Sequence, residues 1–346
     1  MAATAATTQP KTALKIVFGA MTLGREGVEQ TRVHSLQGAA AILDTFQKHG
    51  YNEVDTARVY GDGSSEEYLG QLDLAKRGIV LATKLAPGTI ASMAHAYTHR
   101  PAELRAALLD SLRALQTDRV DMWYLHMPDH SVPYEDTLRE VDSLHRQGYF
   151  RRFGLSNYAA WEVAQIAETA IRHGWKRPDV YQGVYNGPHR AVEPELLPAL
   201  RHYGIAFYLY NPLAGGLLTD RYRREQPGSS SDAAIDPGSR FDPTKNQGAS
   251  YRDRYWNDAY FDALDVVRPV AARLGIPTAE AALRWASHHS LLAREHGDAI
   301  IIGASSQAQL EQNLTALEQG PLPVELVEAF DKAWLLVKAV ARPYFR

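Results

Sequence analysis

The chain has 346 residues, 45% of them hydrophobic and 22% charged, so it can bury a large core and lies outside the composition of disordered chains. A formal net charge of −3 gives no electrostatic reason to expect nucleic acid or an anionic membrane as a partner. The absence of cysteine excludes disulfides, thiolate nucleophiles and thiolate-bound metals.

The N-terminal segment gives the first structural expectation. Residues 1–11 are small and Thr-rich, with neither an apolar run nor an arginine, so they do not resemble a signal or transit peptide. No apolar stretch of the chain approaches the about 20 residues that a membrane-spanning helix needs. We therefore expect a disordered tail over residues 1–11, a single domain over residues 12–346, and a cytoplasmic protein without a membrane partner.

Short β-type runs alternate with amphipathic helical segments along the rest of the chain. The predicted strands are Lys15–Ala20, Asn52–Asp55, Ile79–Lys84, Val120–His126, Arg152–Leu155, Val180–Tyr185, Ile205–Tyr210 and Ala299–Ile302. Strands that alternate with helices pair in parallel through crossovers, and with this count a closed barrel is simpler than an open sheet. The predicted fold class is therefore α/β, a (β/α)8 TIM barrel.

Two additions to this barrel are predicted. The segment Asn211–Asp258, after the seventh strand, is rich in Gly, Pro, Ser and charge, which predicts a long loop with little regular structure. Such a loop projects from the C-terminal rim, where barrel active sites lie. The segment Val324–Ala341 is predicted to form an extra C-terminal helix.

Four polar residues fall at or just beyond the C-terminal ends of predicted strands two, three and four: Asp55, Tyr60, Lys84 and His126. Each has an ordinary explanation when taken singly, as a turn residue, a surface aromatic, a solvated strand end and a core histidine. Together, on adjacent rim positions of one barrel, they predict an active site.

The chemistry available to these four residues is specific. Tyr60 can donate a proton, but with an ordinary pKa of about 10 a tyrosine is a weak acid at neutral pH. The ammonium of Lys84 would lower that pKa, and Asp55 would keep the lysine charged and oriented. A neutral His126 would donate a hydrogen bond to a substrate carbonyl oxygen. None of these groups supplies a hydride, so a reductase built on them needs a reduced nicotinamide.

The segments that carry these residues closely resemble the aldo-keto reductase superfamily, from about Lys15 to Arg346. The matching segments are Val54–Gly61, Ala82–Lys84, Tyr124–His126, Gly154–Tyr158, Tyr181–Gln182, Tyr210–Gly216, Gly303–Ser306 and Gln309–Asn313. A finer match, in Tyr251–Trp256 and Pro343–Arg346, is to the aflatoxin-aldehyde and succinic-semialdehyde reductases. The resemblance implies NADPH-dependent reduction of aldehydes to alcohols, and the branch tends to form dimers, so a homodimer is expected.

The resemblance also implies a cofactor site, whereas no Gly-x-Gly-x-x-Gly motif after a strand indicates a Rossmann site. Serine, asparagine and glutamine side chains after strands five and six would bind the nicotinamide carboxamide, and a tyrosine would stack on its ring. The loop after strand seven would approach the pyrophosphate, and the N-terminus of the last barrel helix would favour the 2′-phosphate. The implied cofactor residues are Ser156, Asn157, Gln182, Tyr210, Asn211, Pro212, Leu213, Gly215, Arg240, Ser305, Ser306, Gln309, Gln312 and Asn313.

Two points qualify this site. Ser156 and Ser306 have a simpler explanation as helix caps. The segment Gly303–Asn313 contains no basic residue, although many members of the superfamily carry one there. Arg240, in the long loop, is the predicted substitute that reads the 2′-phosphate.

The predicted substrate residues are Tyr251, Arg254 and Arg346, because the long loop and the C-terminal segment could both fold over the barrel mouth. A guanidinium there would hold a carboxylate bidentately, which favours aldehydes that carry a carboxylate or a second carbonyl. The alternative is that Arg254 pairs with a neighbouring aspartate and that Arg346 is a frayed end.

Two other functions stay open at the level of sequence. A regulatory subunit could keep the same barrel, the same four residues and bound NADPH, as the potassium-channel β subunits of this superfamily do. A metal-dependent barrel hydrolase is disfavoured, because no His, Asp and Glu cluster converges; His126 and His130 end a strand and enter a Pro loop. We therefore predict no metal.

Overall fold

The computed structural model describes residues 11–88, 96–224 and 235–346. The predicted tail lies outside these ranges apart from residue 11. Within them, all strands pair in parallel and close into one barrel in the order β1 to β8. The strands are β1 (Lys15–Gly19), β2 (Glu53–Asp55), β3 (Val80–Leu85), β4 (Val120–Leu125), β5 (Phe150–Ser156), β6 (Val180–Val184), β7 (Ala206–Tyr210) and β8 (Ala299–Ile302). The (β/α)8 prediction is confirmed, with strand ends displaced by one or two residues.

The helices pack outside the barrel, as crossovers between parallel strands require. In chain order they are α1 (Leu36–Lys48), α2 (Ser64–Gly70), α3 (Pro101–Ala114), α4 (Tyr134–Arg146), α5 (Ala160–His173), α6 (Leu196–Tyr203), α7 (Asn246–Tyr255), α8 (Asp258–Arg273), α9 (Thr278–His288), α10 (Gln307–Leu317) and α11 (Val324–Val337). Pro101 opens α3, where its missing N–H costs nothing. The predicted extra C-terminal helix is α11, which packs against α8.

The prediction of little regular structure over Asn211–Asp258 is partly wrong. The described part of this segment contains a 3₁₀ turn (Ala214–Gly216) and the helix α7. Helix α7 buries only Gly248 and Tyr255, so its sequence has no apolar stripe to reveal it. Gly248 lies so close to the Asp242 backbone that a methyl group there would overlap it. Tertiary packing therefore makes this segment helical.

The sequence Ser64–Glu67 has the spacing of a capping box, but no capping box forms at the start of α2. The residue preceding the helix is Gly63, which has a φ of 84° and no capping side chain. The hydroxyl of Ser64 instead donates to Gly61 O and accepts from Arg25 N at 3.1 Å. The serine thus supports the preceding turn, which follows Tyr60, and does not cap the helix.

The barrel interior contains a large ring opposite a glycine. Tyr124 on β4 pairs in register with Gly154 on β5, and a methyl group at Gly154 would overlap the tyrosine ring. Lys84 on β3 pairs with Tyr124 from the other side. The missing side chain at Gly154 therefore lets the ring occupy the space beside Lys84.

The opposite end of the barrel is filled by charged groups. Arg152 donates to Glu53 Oε1 at 2.8 Å and to the hydroxyl of Tyr208 at 3.0 Å, and pairs with Asp121 at 2.6 Å. These side chains come from the beginnings of β2, β4, β5 and β7. They lie on the N-terminal side of the barrel interior, away from the strand ends that carry Asp55 and Lys84.

Membrane-spanning helices and metal clusters are both absent from residues 11–88, 96–224 and 235–346. None of the helices there is long and apolar enough to cross a membrane. Those ranges also contain no group of three or more His, Asp or Glu side chains placed to hold a metal ion.

Candidate active site

Three of the four predicted rim residues meet around one ammonium group. Lys84 Nζ donates to Asp55 Oδ2 at 2.5 Å, to Thr56 O at 2.8 Å and to the hydroxyl oxygen of Tyr60 at 3.2 Å. An ammonium has three N–H donors, and each has one acceptor here. Because the oxygen of Tyr60 accepts from Lys84, its own proton is free to point elsewhere.

A left-handed turn places Tyr60 at the rim. After Tyr60, the residues Gly61, Asp62 and Gly63 have φ values of 53°, 58° and 84°. Such values favour glycine, and Asp62 adopts one at a conformational cost. The chain thereby reverses just beyond β2 and begins α2, which leaves Tyr60 beside Lys84.

Burial and charge act in opposite directions on the lysine and the aspartate. Burial would lower the pKa of Lys84, but the charges of Asp55 and Tyr60 outweigh burial and raise it. Burial raises the pKa of Asp55, and Lys84 opposes that rise. The side chain of Lys84 is fully buried and that of Asp55 nearly so, so each is the other's main charge partner.

The pKa of Tyr60 moves in the direction opposite to the expected one. Burial raises it above the ordinary value, and the ammonium of Lys84 only opposes that rise. In the free protein Tyr60 therefore holds its proton at neutral pH. Lys84 limits the rise in this pKa but does not bring it below the ordinary value.

His126 faces Tyr60 edge-on, with ring centroids 5.7 Å apart. Burial, Lys84 and Arg346 together hold the pKa of His126 well below its ordinary value, so the ring is neutral at physiological pH, as predicted. Its Nδ1 atom is buried without a hydrogen-bond partner. The ring is therefore positioned by packing and by its own backbone, which donates to Leu85 O at 2.7 Å.

The residues predicted to bind the carboxamide form a connected layer on β5 and β6. Asn157 Nδ2 donates to His126 O at 2.8 Å and to Ser156 Oγ at 3.0 Å, and Asn157 Oδ1 accepts from Tyr210 at 2.8 Å. Gln182 Nε2 donates to Asp55 Oδ1 at 3.0 Å. This layer links the predicted cofactor residues directly to Asp55 and His126. It occupies one of the two N–H donors of Gln182 and leaves Gln182 Oε1 without a hydrogen bond to Asp55.

The loop after β7 forms a compact turn. Asn211, Ala214 and Gly215 have φ values of 59°, 49° and 72°, and Ala214 N donates to Asn211 O at 2.9 Å. A methyl group at Gly215 would overlap the ring of Tyr251. Only glycine therefore fits between this turn and α7. Pro212 and Leu213 lie in the same turn, as predicted.

Tyr251 lies at the predicted cofactor loop, although it is predicted as a substrate residue. Its hydroxyl donates to Asn211 Oδ1 at 3.0 Å and accepts from Arg240 Nη1 at 2.7 Å. The guanidinium of Arg240 also stacks on the Tyr251 ring, 5.2 Å from its centroid. Tyr251 thus holds Arg240 against the loop after β7, a contact that sequence spacing does not reveal.

The N-terminus of α10 has the predicted serines in capping contacts. Ser306 Oγ accepts from Gln309 N at 3.2 Å, and Ser305 N and Oγ donate to Gln309 Oε1 at 2.6 and 2.9 Å. Asn313 Nδ2 donates to Gly303 O at 3.2 Å, and Gln312 is exposed on the next turn. The capping alternative holds for Ser306. It leaves the hydroxyls at an exposed helix N-terminus, where an anion is favoured.

Arg32 is a basic residue that the sequence did not reveal. Its backbone N donates to Thr22 O at 2.7 Å, and Thr22 Oγ1 donates to Ala304 O at 2.6 Å, next to Ser305. Its guanidinium lies 2.8 Å from the position that a methyl group on Gly238 would occupy. Burial and the nearby charge of Arg240 lower the pKa of Arg32. Two guanidinium groups from different loops therefore lie within range of each other's charge.

The predicted substrate arginines lie by the layer around Asn157. The guanidinium of Arg254 lies close to the hydroxyl of Tyr210, and despite burial the nearby tyrosines raise the pKa of Arg254. Arg346 N donates to Asn157 O at 3.0 Å, and the charge of Arg346 acts on His126. The neighbouring Asp253 is paired with Arg342. The C-terminal segment is thus attached to α7 over the barrel mouth, and Arg346 is held there.

These residues fit a nicotinamide dinucleotide. Arg240 and Arg32 supply positive charge beside the loop after β7, and the exposed start of α10 favours an anion. Tyr210, beside Asn157, offers a partly buried aromatic face at the end of β7. The fold and the site therefore define a barrel enzyme with a buried tyrosine, lysine and aspartate together at its C-terminal rim.

Comparisons with known proteins agree with a barrel enzyme. The model of the aldo/keto reductase family matches residues 15–335. A human aldo-keto reductase, family 7 member A3, is 45% identical over 95% of this chain and 96% of its own length. Human aflatoxin B1 aldehyde reductase member 2 is 43% identical over 95% of this chain and 89% of its own. A glycerol dehydrogenase of Gluconobacter oxydans has the same fold, with a TM-score of 0.69, 24% identity and 95% and 93% of the two chains covered.

The chain belongs to the aldo/keto reductase family. It is an oxidoreductase, and its relatives support carbonyl reduction as its reaction, with a nicotinamide cofactor as in the family. The aflatoxin B1 aldehyde reductases among them confirm the predicted branch.

Proposed function

We propose that this protein reduces aldehydes to alcohols with NADPH, with Tyr60 as the proton donor. The observation that carries the proposal is the set of three acceptors around Lys84 Nζ, which makes the Tyr60 oxygen an acceptor and directs its proton away from the lysine. An acid that keeps its proton until a substrate oxygen arrives suits the reductive direction.

Each residue then has one task. His126, neutral and edge-on to Tyr60, donates a hydrogen bond to the carbonyl oxygen. Lys84 stabilises the negative charge that forms on Tyr60 when its proton leaves, and Asp55 keeps the lysine charged and in place. The reduced nicotinamide, held by the layer around Asn157 and Tyr210, supplies the hydride.

Loss of NADPH absorbance at 340 nm with small aldehydes tests this function. A reductase should turn over on the order of 1 to 10³ times per second with a good substrate. Turnover far below this range with every aldehyde, despite tight NADPH binding, would favour the regulatory-subunit alternative.

We also propose, from the resemblance to this branch of the superfamily, that the protein is a cytoplasmic homodimer. Sedimentation velocity measures the mass of the particle in solution and so tests whether it is a dimer.

We propose that Arg240 gives the preference for NADPH over NADH, with Ser305 and Ser306 at the start of α10. The fixed position of Arg240 on Tyr251 supports this role, and Arg32 adds positive charge from the opposite loop. Gln309, Gln312 and Asn313 would hold the adenosine along α10.

Changing Arg240 to alanine should weaken NADPH binding roughly ten- to a hundredfold, because a charge-assisted contact to a phosphate is worth about 1.5–3 kcal/mol. NADH binding, which lacks that phosphate, should change by less than about threefold. Fluorescence titration with both cofactors measures the difference. Equal losses for the two would show that Arg240 supports the loop and does not read the 2′-phosphate.

We propose aldehydes that carry a carboxylate or a second carbonyl as the substrate class, such as succinic semialdehyde, 2-carboxybenzaldehyde or dicarbonyls. Four relatives are named for the aldehyde of aflatoxin B1, which agrees with an aldehyde substrate. Arg254 and Arg346 supply guanidinium groups beside Tyr210 and His126, at a mouth shaped by α7 and the C-terminal segment.

Changing Arg254 to alanine should lower kcat/KM at least about tenfold for succinic semialdehyde, because the carboxylate loses a charge-assisted contact. The loss for the uncharged 4-nitrobenzaldehyde should be small. Tyr210→Phe is the matched control, since it removes the hydroxyl that lies close to Arg254 and keeps the arginine. Equal losses for the two aldehydes in Arg254→Ala would show that Arg254 acts through Tyr210 and does not read the acid.

A further inference from the structure

Behind the site lies a buried carboxylate that no step of the proposed mechanism uses. Glu66, on α2, is fully buried, although glutamate is among the residue types least often buried. Its Oε1 accepts from Thr83 Oγ1 at 2.6 Å, and its Oε2 accepts from Arg58 Nη1 at 3.3 Å. An apolar side chain in this position would avoid the desolvation of a carboxylate, so packing alone does not account for a glutamate here.

The two partners of Glu66 are neighbours of the two groups that transfer and tune the proton. Thr83 is adjacent to Lys84 on β3, and Arg58 lies two residues before Tyr60. Arg58 Nη1 also donates to Gly63 O at 3.2 Å, which closes the left-handed turn that follows Tyr60. The single carboxylate therefore connects the strand of the lysine to the loop of the tyrosine.

The loop of Tyr60 needs such a connection. Gly61 and Gly63 favour its left-handed conformation, but Asp62 between them adopts it at a conformational cost that contacts from other elements must offset. The contact from Lys84 Nζ to the Tyr60 oxygen is 3.2 Å, at the long end of a hydrogen bond, and a small displacement of the loop would break it.

We propose that Glu66 is a positioning residue that fixes the distance between Lys84 and Tyr60 by holding Thr83 and Arg58 together. The inference rests on the proposed function, since it assigns a role in the proton transfer made there. Glu66 touches neither substrate nor cofactor in this role and acts only through its two partners.

The next residue, Glu67, provides a matched control. It pairs with Arg25 at 2.9 Å, and the two side chains are 41% and 51% exposed. An exposed pair of this kind contributes little to structure. Glu66→Gln and Glu67→Gln are thus the same chemical change at adjacent positions. Glu66 bonds to Thr83 and Arg58, whereas Glu67 bonds to neither of them.

The experiment compares Glu66→Gln and Thr83→Val with the controls Glu67→Gln and Thr83→Ser. Thr83→Val removes the hydroxyl that Glu66 binds, whereas Thr83→Ser keeps it. We expect kcat to fall by roughly 30- to 100-fold in the first two variants, the scale of a misplacement of about 1 Å. The KM for 4-nitrobenzaldehyde and the Kd for NADPH should stay within about threefold of the wild-type values. The isotope effect on kcat with NADPH deuterated at the transferred position should rise, because the chemical step becomes slower relative to the other steps. Both controls should keep kcat within about twofold.

An unchanged kcat in folded Glu66→Gln would overturn the proposal, as would an equal loss in Glu67→Gln or a loss confined to KM. If Glu66→Gln does not fold, Thr83→Val against Thr83→Ser decides in the same way. One further readout needs no turnover: the ¹³Cζ NMR signal of Tyr60, assigned by its absence in Tyr60→Phe. It should shift in Glu66→Gln and Thr83→Val and stay in place in the controls. An inactive wild type would thus refute the proposed function, while an unmoved Tyr60 signal would refute the role of Glu66.

Discussion

Changing Tyr60 to phenylalanine should lower kcat for aldehyde reduction by at least about 10²-fold, the usual scale for losing a general acid. The structure gives the reason, because the Tyr60 hydroxyl is the group whose oxygen Lys84 holds and whose proton is left free. Steady-state rates at saturating NADPH and aldehyde measure the change. The Kd for NADPH should stay within about threefold, since the ring of Tyr60 is retained.

Tyr251→Phe serves as the control for Tyr60→Phe. It also removes one phenol oxygen at the barrel mouth, but that oxygen is bonded to Asn211 and Arg240. We expect its main effect on NADPH affinity and not on kcat. If Tyr60→Phe retained more than a tenth of wild-type turnover, another group would have to be the proton donor.

Changing Lys84 to methionine should reduce both activity and stability. Without the ammonium, the pKa of Tyr60 should rise further, because only Lys84 opposes the effect of burial on it. Alcohol oxidation, which needs Tyr60 as a base, should therefore require a higher pH than in the wild type, and reduction at neutral pH should be slower. An unchanged pH–rate profile at a similar rate would make Lys84 a structural residue only.

The stability of Lys84→Met should fall by about 3–5 kcal/mol, because Asp55 would be left as a buried carboxylate without its charge partner. Burial already raises the pKa of Asp55, and the loss of Lys84 should raise it more. A carboxyl with a raised pKa in the folded state stabilises the fold at low pH and loses that contribution as pH rises. The deficit in Tm should therefore be smaller at about pH 5 than at about pH 8.

The double variant Lys84→Met/Asp55→Asn separates the two effects. With the carboxylate gone, the pH dependence of the deficit should disappear and much of the lost stability should return. Turnover should stay low, since Tyr60 still lacks its ammonium partner. Recovery of turnover in the double variant would contradict the role given to Lys84.

The barrel and the four rim residues were predictable from sequence for a physical reason. Buried strands such as Ala299–Ile302 are continuous apolar runs, and their alternation with helices leaves few topologies. Once the barrel is known, a residue that ends a strand lies at the rim, so Asp55, Lys84 and His126 follow directly. The side chains at the ends of β2, β3 and β4 come together because these strands are neighbours in the barrel. They are neighbours because the parallel strands pair in chain order.

Other parts of the site depend on contacts that sequence does not encode locally. Gln182 and Asp55 are 127 residues apart in the chain. Their hydrogen bond uses one N–H of an amide that was predicted to face the cofactor. Tyr251 was predicted as a substrate residue from its place in the long loop, and the sequence did not indicate that its hydroxyl bonds to Arg240 and Asn211. Ser64 does not cap α2, because its hydroxyl bonds to Gly61 O and Arg25 N, which lie outside the helix.

The close fit of Tyr124 against Gly154 has a consequence for how this protein can change over generations or in the laboratory. A methyl group at position 154 overlaps the ring, so single substitutions there should be rejected whatever their chemistry. Substitutions at positions 124 and 154 are therefore coupled. A larger residue at 154 becomes tolerable only after the ring at 124 has been replaced by a smaller side chain. A library that varies either position alone would explore only losses, whereas paired variation could reshape the wall beside Lys84.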